Sequence, residues 1–218
     1  MRRQIFIIGI ISLSVVYFFY FYKKNTENTL FEVMEIPNFT MTNQDNQSIS
    51  PQDLIGKVYI VEFFFTNCPT ICPVMNQNLI QINQEINHPD FSILSITIDP
   101  KRDTPEALKK HKELLGIETP NWHFLTAERD SIFSLSKKFN LYLGKDYQSA
   151  EGLEHSGKFA LVDKKGKIRS RFNNNGLPIL YYSGLNYSDE KGKEESLTGK
   201  FHPEINALKN DIKILLND

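Results

Sequence analysis

Two stretches that read as continuous apolar runs, Val58 to Phe65 and Phe91 to Ile98, constrain this chain most, because runs of that length bounded by turn residues are the pattern of strands buried on both faces of a parallel sheet. Between them Met75, Leu79, Ile82 and Ile86 recur at steps of four, three and four, one apolar stripe on an Asn/Gln-rich helix. The only two cysteines, Cys68 and Cys72, lie where the first run hands over to that helix, in Cys68-Pro69-Thr70-Ile71-Cys72-Pro73. A thiol at a strand mouth and a helix start gains from the helix dipole and stays partly exposed, the two conditions that lower its pKa. A structural disulfide closing so short a loop removes little unfolded-state entropy. A redox or metal role is the better reading of the pair.

The rest of the chain extends this unit. Phe39 to Thr42 with the turn Asn43 to Gln47 predicts a small hairpin, and Thr104 before Pro105 and Glu106 caps a helix reaching about Leu115. A further helix is expected near Asp130 to Phe139. Phe159 to Val162 and Ile168 to Phe172 flank a hairpin turn, and Ile205, Leu208, Ile212 and Leu215 share one face of a closing helix. Asn173 to Lys200 has no strong period and reads as a long loop. This order predicts an α/β fold, a thioredoxin-like three-layer sandwich.

Ahead of it stands an apolar stretch, Ile5 to Tyr22, whose 18 residues span about 27 Å as a helix, enough for a bilayer core. It ends in aromatic residues and Lys23-Lys24, with no small-residue cleavage site and no lipobox cysteine, so an uncleaved transmembrane helix is expected rather than a removed signal peptide. The expected division is residues 1–24 as anchor, 25–35 as tether and 36–218 as the folded domain. Basic residues flank the stretch on both sides and leave its orientation nearly tied; the cysteine pair tips the domain outward, toward an oxidising compartment. Residues 1–24 hold four of the 25 basic residues and none of the 26 acidic ones, which leaves 21 basic against 26 acidic and a net charge of −5 beyond them. A mildly acidic domain argues against nucleic-acid binding.

Two sulfurs make an incomplete soft-metal site. His88, His111, His123 and His202 read as packed or solvated side chains, whereas His155 stands directly before the strand Phe159 to Val162, about where redox enzymes of this fold carry a proline. An imidazole beside two thiolates suits copper; an ordinary loop histidine is the alternative.

At these residues the sequence resembles the Sco (SenC/PrrC) family of copper chaperones for cytochrome oxidase assembly. Phe65 to Pro73 is similar to the family's CxxxCP loop, Thr97 to Glu106 to its DPxRDTPE segment, and Glu154-His155-Ser156 to its metal-binding DHS, with glutamate in place of aspartate. The resemblance covers about residues 36 to 216. It implies copper, as Cu(I) or Cu(II), held by Cys68, Cys72 and His155, with Asp99, Asp103 and Glu154 supporting the site or facing a partner. For the two aspartates a turn and helix entry is an equal reading. It further implies a single-pass protein of a bacterial cytoplasmic membrane, its domain on the periplasmic side, taking copper from an upstream donor. Delivery would be to the dinuclear copper centre of oxidase subunit II, or the protein would reduce that subunit's cysteines. Such a protein is not an enzyme; the competing expectation is a membrane-tethered thiol-disulfide oxidoreductase, for which the CxxxC spacer is one residue long and the expected proline is missing.

Overall fold

Every residue of strand β4 (Val58–Phe64) is buried, and the sheet is built outward from it. The structure, a computed structural model, describes Tyr17 and residues 30–139, 157–173, 176–185 and 204–218. Strands β1 (Phe31–Glu35), β2 (Met41–Asn43), β3 (Ser48–Ile49), β5 (Phe91–Thr97), β6 (Trp122–Thr126), β7 (Lys158–Val162) and β8 (Lys167–Ser170) join β4 in the order β1-β8-β7-β4-β5-β6-β2-β3. A short strand, β9 (Tyr182–Ser183), pairs with β7. The centre, β4 with β5 and β5 with β6, is parallel, and the flanks are antiparallel.

Side chains alternate along β4, as a strand requires. Val58, Ile60 and Phe64 enter one core with Met75, Leu79 and Ile82 of helix α1 (Cys72–Ile86), Leu108 of α2 (Pro105–Leu114), and Leu208 and Ile212 of α4 (Glu204–Asn217). Tyr59, Val61 and Phe63 enter the other, with Ile132 and Leu135 of α3 (Arg129–Lys138) and the β2–β3 hairpin residues Met41 and Ile49. Helices on both faces of the sheet give the α/β sandwich expected. The Thr104 signal acts as read, Ala107 N–H donating to its hydroxyl at 3.3 Å to cap α2; Asn87 ends α1 in the left-handed conformation at φ 37°.

Two expectations are corrected, and one strand is added. The tether predicted for residues 25–35 is in part strand: Phe31–Glu35 pairs with β8, and Lys167 reaches Glu32 and Glu35 across the pair at 2.9 and 3.7 Å. Its alternation of apolar and acidic residues is that of a half-buried edge strand. Trp122–Thr126 forms the strand that extends the parallel centre, and Tyr182–Ser183, inside the predicted long loop, forms β9. The expected anchor, Ile5 to Tyr22, lies outside the described residues apart from Tyr17; among the described residues no helix is long and apolar enough to cross a membrane.

A buried ion pair ties α4 to the sheet. Asp211, fully buried, accepts two hydrogen bonds from Arg171 at 2.8 and 2.7 Å and one from the Tyr182 hydroxyl at 2.7 Å. Removing the carboxylate strands a half-buried guanidinium and a buried phenol, so Asp211→Ala should destabilise the fold by about 3 kcal/mol, read as a lower denaturant midpoint. A change below about 0.5 kcal/mol, the ordinary surface-substitution range, would contradict this account.

Candidate metal centre

Beyond Phe64 the chain leaves the sheet as Phe65 to Ile71 and returns as α1, whose first residue is Cys72 and whose Pro73 occupies the first turn, where a missing N–H costs nothing. Cys68 N–H donates to the Phe65 carbonyl at 3.2 Å, folding the loop back on itself. Both cysteines are thiols, 9% and 3% exposed, and their side chains hydrogen-bond to each other. The Cys68 sulfur also lies 3.6 Å from the Thr70 hydroxyl.

The expectation of a partly exposed thiol with a lowered pKa is reversed at Cys72. Its thiol is pushed up, first by the hydrogen bond with Cys68, then by burial, with the charges of Cys68 and Glu62 acting in the same direction; a hydrogen bond from the Phe65 backbone pulls the other way but does not win. Cys72 therefore keeps its proton.

Asp103 holds the loop in place. Its carboxylate accepts from the Thr66 N–H at 3.1 Å and from the hydroxyls of Thr66 and Thr97, and it is 1% exposed. Thr97 ends β5, so one carboxylate ties the cysteine loop to the neighbouring strand. The turn Asp99 to Asp103 presents it: Asp103 N–H donates to the Asp99 carbonyl at 2.9 Å, Asp99 N–H to the Thr97 hydroxyl at 3.0 Å, and Arg102 pairs with the Asp99 carboxylate at 2.9 Å. The carboxylates of Asp99 and Asp103 are thus engaged by Arg102 and by Thr66 and Thr97 respectively.

Glu62 is a further site residue, and the sequence reading passed over it by treating Val58 to Phe65 as wholly apolar. It occupies the β4 position that alternation aims at the cysteine-side core, fully buried. Its Oε1 accepts from the Ser95 hydroxyl at 2.6 Å, Ser95 accepts in turn from the Trp122 indole at 2.9 Å, and Oε2 has no partner among the described residues. Burial pushes its carboxyl up to about 8 against the pull of Ser95. The signal available was an acid in the middle of an otherwise apolar strand.

His155 and Glu154 lie outside the described residues, as does His202. Among the described residues no group of three metal-ligating side chains forms, so the cysteines alone can be placed. His111 stacks on Phe64 at 5.7 Å, His88 is exposed and accepts from Asp90 N–H at 3.1 Å, and His123 is half-buried on β6, as expected of packed or solvated histidines.

A family model described as SCO1/SenC matches residues 27–186. The SCO1 protein homolog of Bacillus subtilis is 32% identical over 142 residues, which are 64% of this chain and 74% of the relative. A solved structure of BsSco, described as a member of the Sco family of cytochrome c oxidase assembly proteins with a disulfide switch, is 26% identical with a TM-score of 0.65, over 87% of this chain and 97% of that one. Arabidopsis thaliana ScoI, solved with copper bound, shares the fold at 21% identity and a TM-score of 0.57, over 84% of this chain and 98% of that one.

Two outcomes follow from the geometry. Asp103→Ala leaves three donors without their acceptor and should cost about 1–3 kcal/mol while speeding alkylation of Cys68 by iodoacetamide; unchanged alkylation would mean the carboxylate does not position the loop. Glu62 holds its proton up to about 8 when folded and to 4.5 when unfolded, so its contribution to stability is present below pH 4.5 and lost as pH rises through 8. Glu62→Gln should gain on wild type across that window, by at most about 5 kcal/mol at one pKa unit per 1.4 kcal/mol. Denaturation at pH 5, 7 and 9 reads the difference, which a pH-independent gap would refute.

Proposed function

Since this chain belongs to the SCO1/SenC family, we propose that it is a copper metallochaperone, anchored in a bacterial cytoplasmic membrane with its domain on the outer side, that receives copper from an upstream donor and serves assembly of cytochrome c oxidase. The observation that carries the reading is the buried pair of thiols, Cys68 and Cys72, in hydrogen-bonding contact at the start of α1. Two thiolates are soft donors that select Cu(I) over harder ions. In a buried site they are costly as bare anions, and a bound cation removes that cost. Copper is the cargo: Cys68 and Cys72 lose their protons as it is taken up, and regain them when an acceptor such as oxidase subunit II takes it over.

His155 is the proposed third ligand. Its support is positional: β7 begins at Lys158, which the antiparallel register with β4 sets level with Phe63, at the end of the sheet that leads into the cysteine loop. Residue 155 is three positions earlier, a reach of at most about 11 Å. Glu154 is proposed to orient the imidazole, as carboxylates next to ligating histidines do. Asp99 and Asp103 act through the loop they hold.

Oxidation to a Cys68–Cys72 disulfide, with loss of two electrons and two protons to an acceptor disulfide, would remove both thiolate donors and so gate loading. BsSco is described as carrying a disulfide switch. The same dithiol would serve the alternative reading, a thiol-disulfide oxidoreductase. The buried, protonated Cys72 favours the chaperone, since the thiolate is the nucleophile in exchange.

The test is anaerobic copper titration of the full chain in detergent against a competing chelator. Reduced wild type should bind one equivalent, the oxidised form should lose that affinity, and His155→Ala should weaken binding by more than the roughly 10 to 100-fold typical of an outer-shell change. Wild-type affinity and absorption in His155→Ala would sink the three-ligand site. Turnover of an insulin-type disulfide by the reduced chain, with copper binding absent, would establish the oxidoreductase instead.

A further inference from the structure

Three of the large apolar side chains exposed among the described residues, Phe172, Leu177 and Leu180, belong to one hairpin at one end of the molecule. The hairpin is a built feature. Phe172 bridges to Pro178, Asn173 N–H donates to the Leu177 carbonyl at 2.8 Å, Leu177 N–H to the Asn173 side chain at 3.0 Å, and Ile179 N–H to the Arg171 carbonyl at 3.0 Å. The Ser170 hydroxyl holds the Ile179 carbonyl at its root. Phe172 is 54% exposed, Leu177 61% and Leu180 48%, and the sequence carries no charged residue between Arg171 and Asp189. Isolated exposed apolar residues need no explanation, but three presented together by one hydrogen-bonded, uncharged segment do.

Register fixes where this hairpin lies. Strand β8 is antiparallel to β7, and β7 to β4, so β8 runs parallel to β4 and its end at Ser170 points the same way as Phe64 and the cysteine loop. Two strand spacings, about 10 Å, separate β8 from β4. Strand β1 is antiparallel to β8, with Phe31 opposite Ser170, so the chain enters the domain at that same end. The ring of Phe31 lies 4.9 Å from the ring of Phe172. From Lys24, which closes the apolar stretch, to Leu30 is six residues, a span of at most about 20 Å. The exposed Ile55 and Leu114 lie at the other end, before β4 and at the close of α2.

We propose that the Phe172–Leu180 hairpin seats on the lipid bilayer, so that the end of the sheet bearing Cys68 and Cys72 faces the membrane plane. The proposal rests on the anchored reading given above. Its occupant is a membrane rather than a second copy or a partner protein, because the hairpin stands beside the entry of a short tether from an apolar, aromatic-ended stretch, and because a charge-free apolar tip enters the interface with no charge to desolvate while the Phe172 ring offers the aromatic surface that interfaces favour. Cargo would then be offered to acceptors whose site sits just above the bilayer.

The experiment uses the full chain in vesicles of phosphatidylcholine and phosphatidylglycerol, with and without brominated acyl chains, in the variants Phe172→Trp, Leu177→Trp and Ile55→Trp. Trp122, fully buried in the core, is the unquenched background common to all. Tryptophan at 172 and at 177 should lose about half its emission to bromolipid, as expected for a ring about 5–10 Å into the headgroup boundary, and tryptophan at 55 should lose none. Chain that floats with the vesicles yet shows no quenching at 172 or 177 overturns the docking and leaves the anchor standing. Chain that does not float overturns the anchor and the docking with it. Equal quenching at 55 and 172, or a blue shift that follows protein density instead of lipid, overturns it in favour of no fixed orientation or of a second copy on the hairpin.

Discussion

The two-sided burial of β4 is the constraint from which the rest follows. A strand with no exposed residue must be paired along both edges and covered on both faces, which β5 and β7 and the two helical layers accomplish. Its one weak point is the exit at Phe64, where the chain leaves a dry core while still carrying polar backbone. There Ile98 N–H donates to the Phe64 carbonyl at 2.8 Å, and Asp103 takes the N–H of Thr66. The cysteine loop is therefore anchored by the groups that repair the end of the central strand, and a soft-donor pair is held there.

Burial also decides the electrostatics. The helix start at Cys72 favours an anion by roughly 0.3–1 kcal/mol, an effect of the first turn that suits exposed groups. Against it stand a sulfur 3% exposed, a neighbouring thiol and the buried carboxyl of Glu62. Two like charges cannot both be carried in that volume, so the proton stays on Cys72. Glu62 itself is kept protonated by the same dryness, with Ser95, in turn held by the Trp122 indole, as its partner on one side. A site of this kind is poorly suited to holding two bare thiolates and well suited to having them neutralised by one soft cation, which is why the pair of sulfurs, more than the fold, supports the copper reading.

The antiparallel flank adds a direction. Because β8 and β1 return the chain to the end of the sheet at which β4 opens, the entry of the domain, the apolar hairpin and the thiols share one end. The ion pair of Asp211 with Arg171, bonded also to Tyr182, fixes that flank to α4, so the hairpin projects from a rigid base.

Much of this was legible in the chain because it is local. The strands at Val58 and Phe91, the stripe Met75–Leu79–Ile82–Ile86, the cap at Thr104 and the turn at Asp163 are written in short-range periodicity and turn chemistry, and the cysteine pair could be placed at a strand-to-helix junction from spacing alone. The strands β1, β6 and β9 were not, since each is short and becomes a strand only by pairing with a partner distant in sequence. The roles of Asp103 and Glu62 depend on distance and burial: a carboxylate 37 residues beyond Thr66 closes the loop, and an acid within an apolar run is made neutral by what surrounds it. The sequence by itself determined which donors this protein has and the layers that carry them. The tertiary structure alone decided that the thiols are buried, that Cys72 keeps its proton and that the pair opens at the same end as the entering chain, because desolvation and strand direction are properties of the assembled sheet and of no single segment.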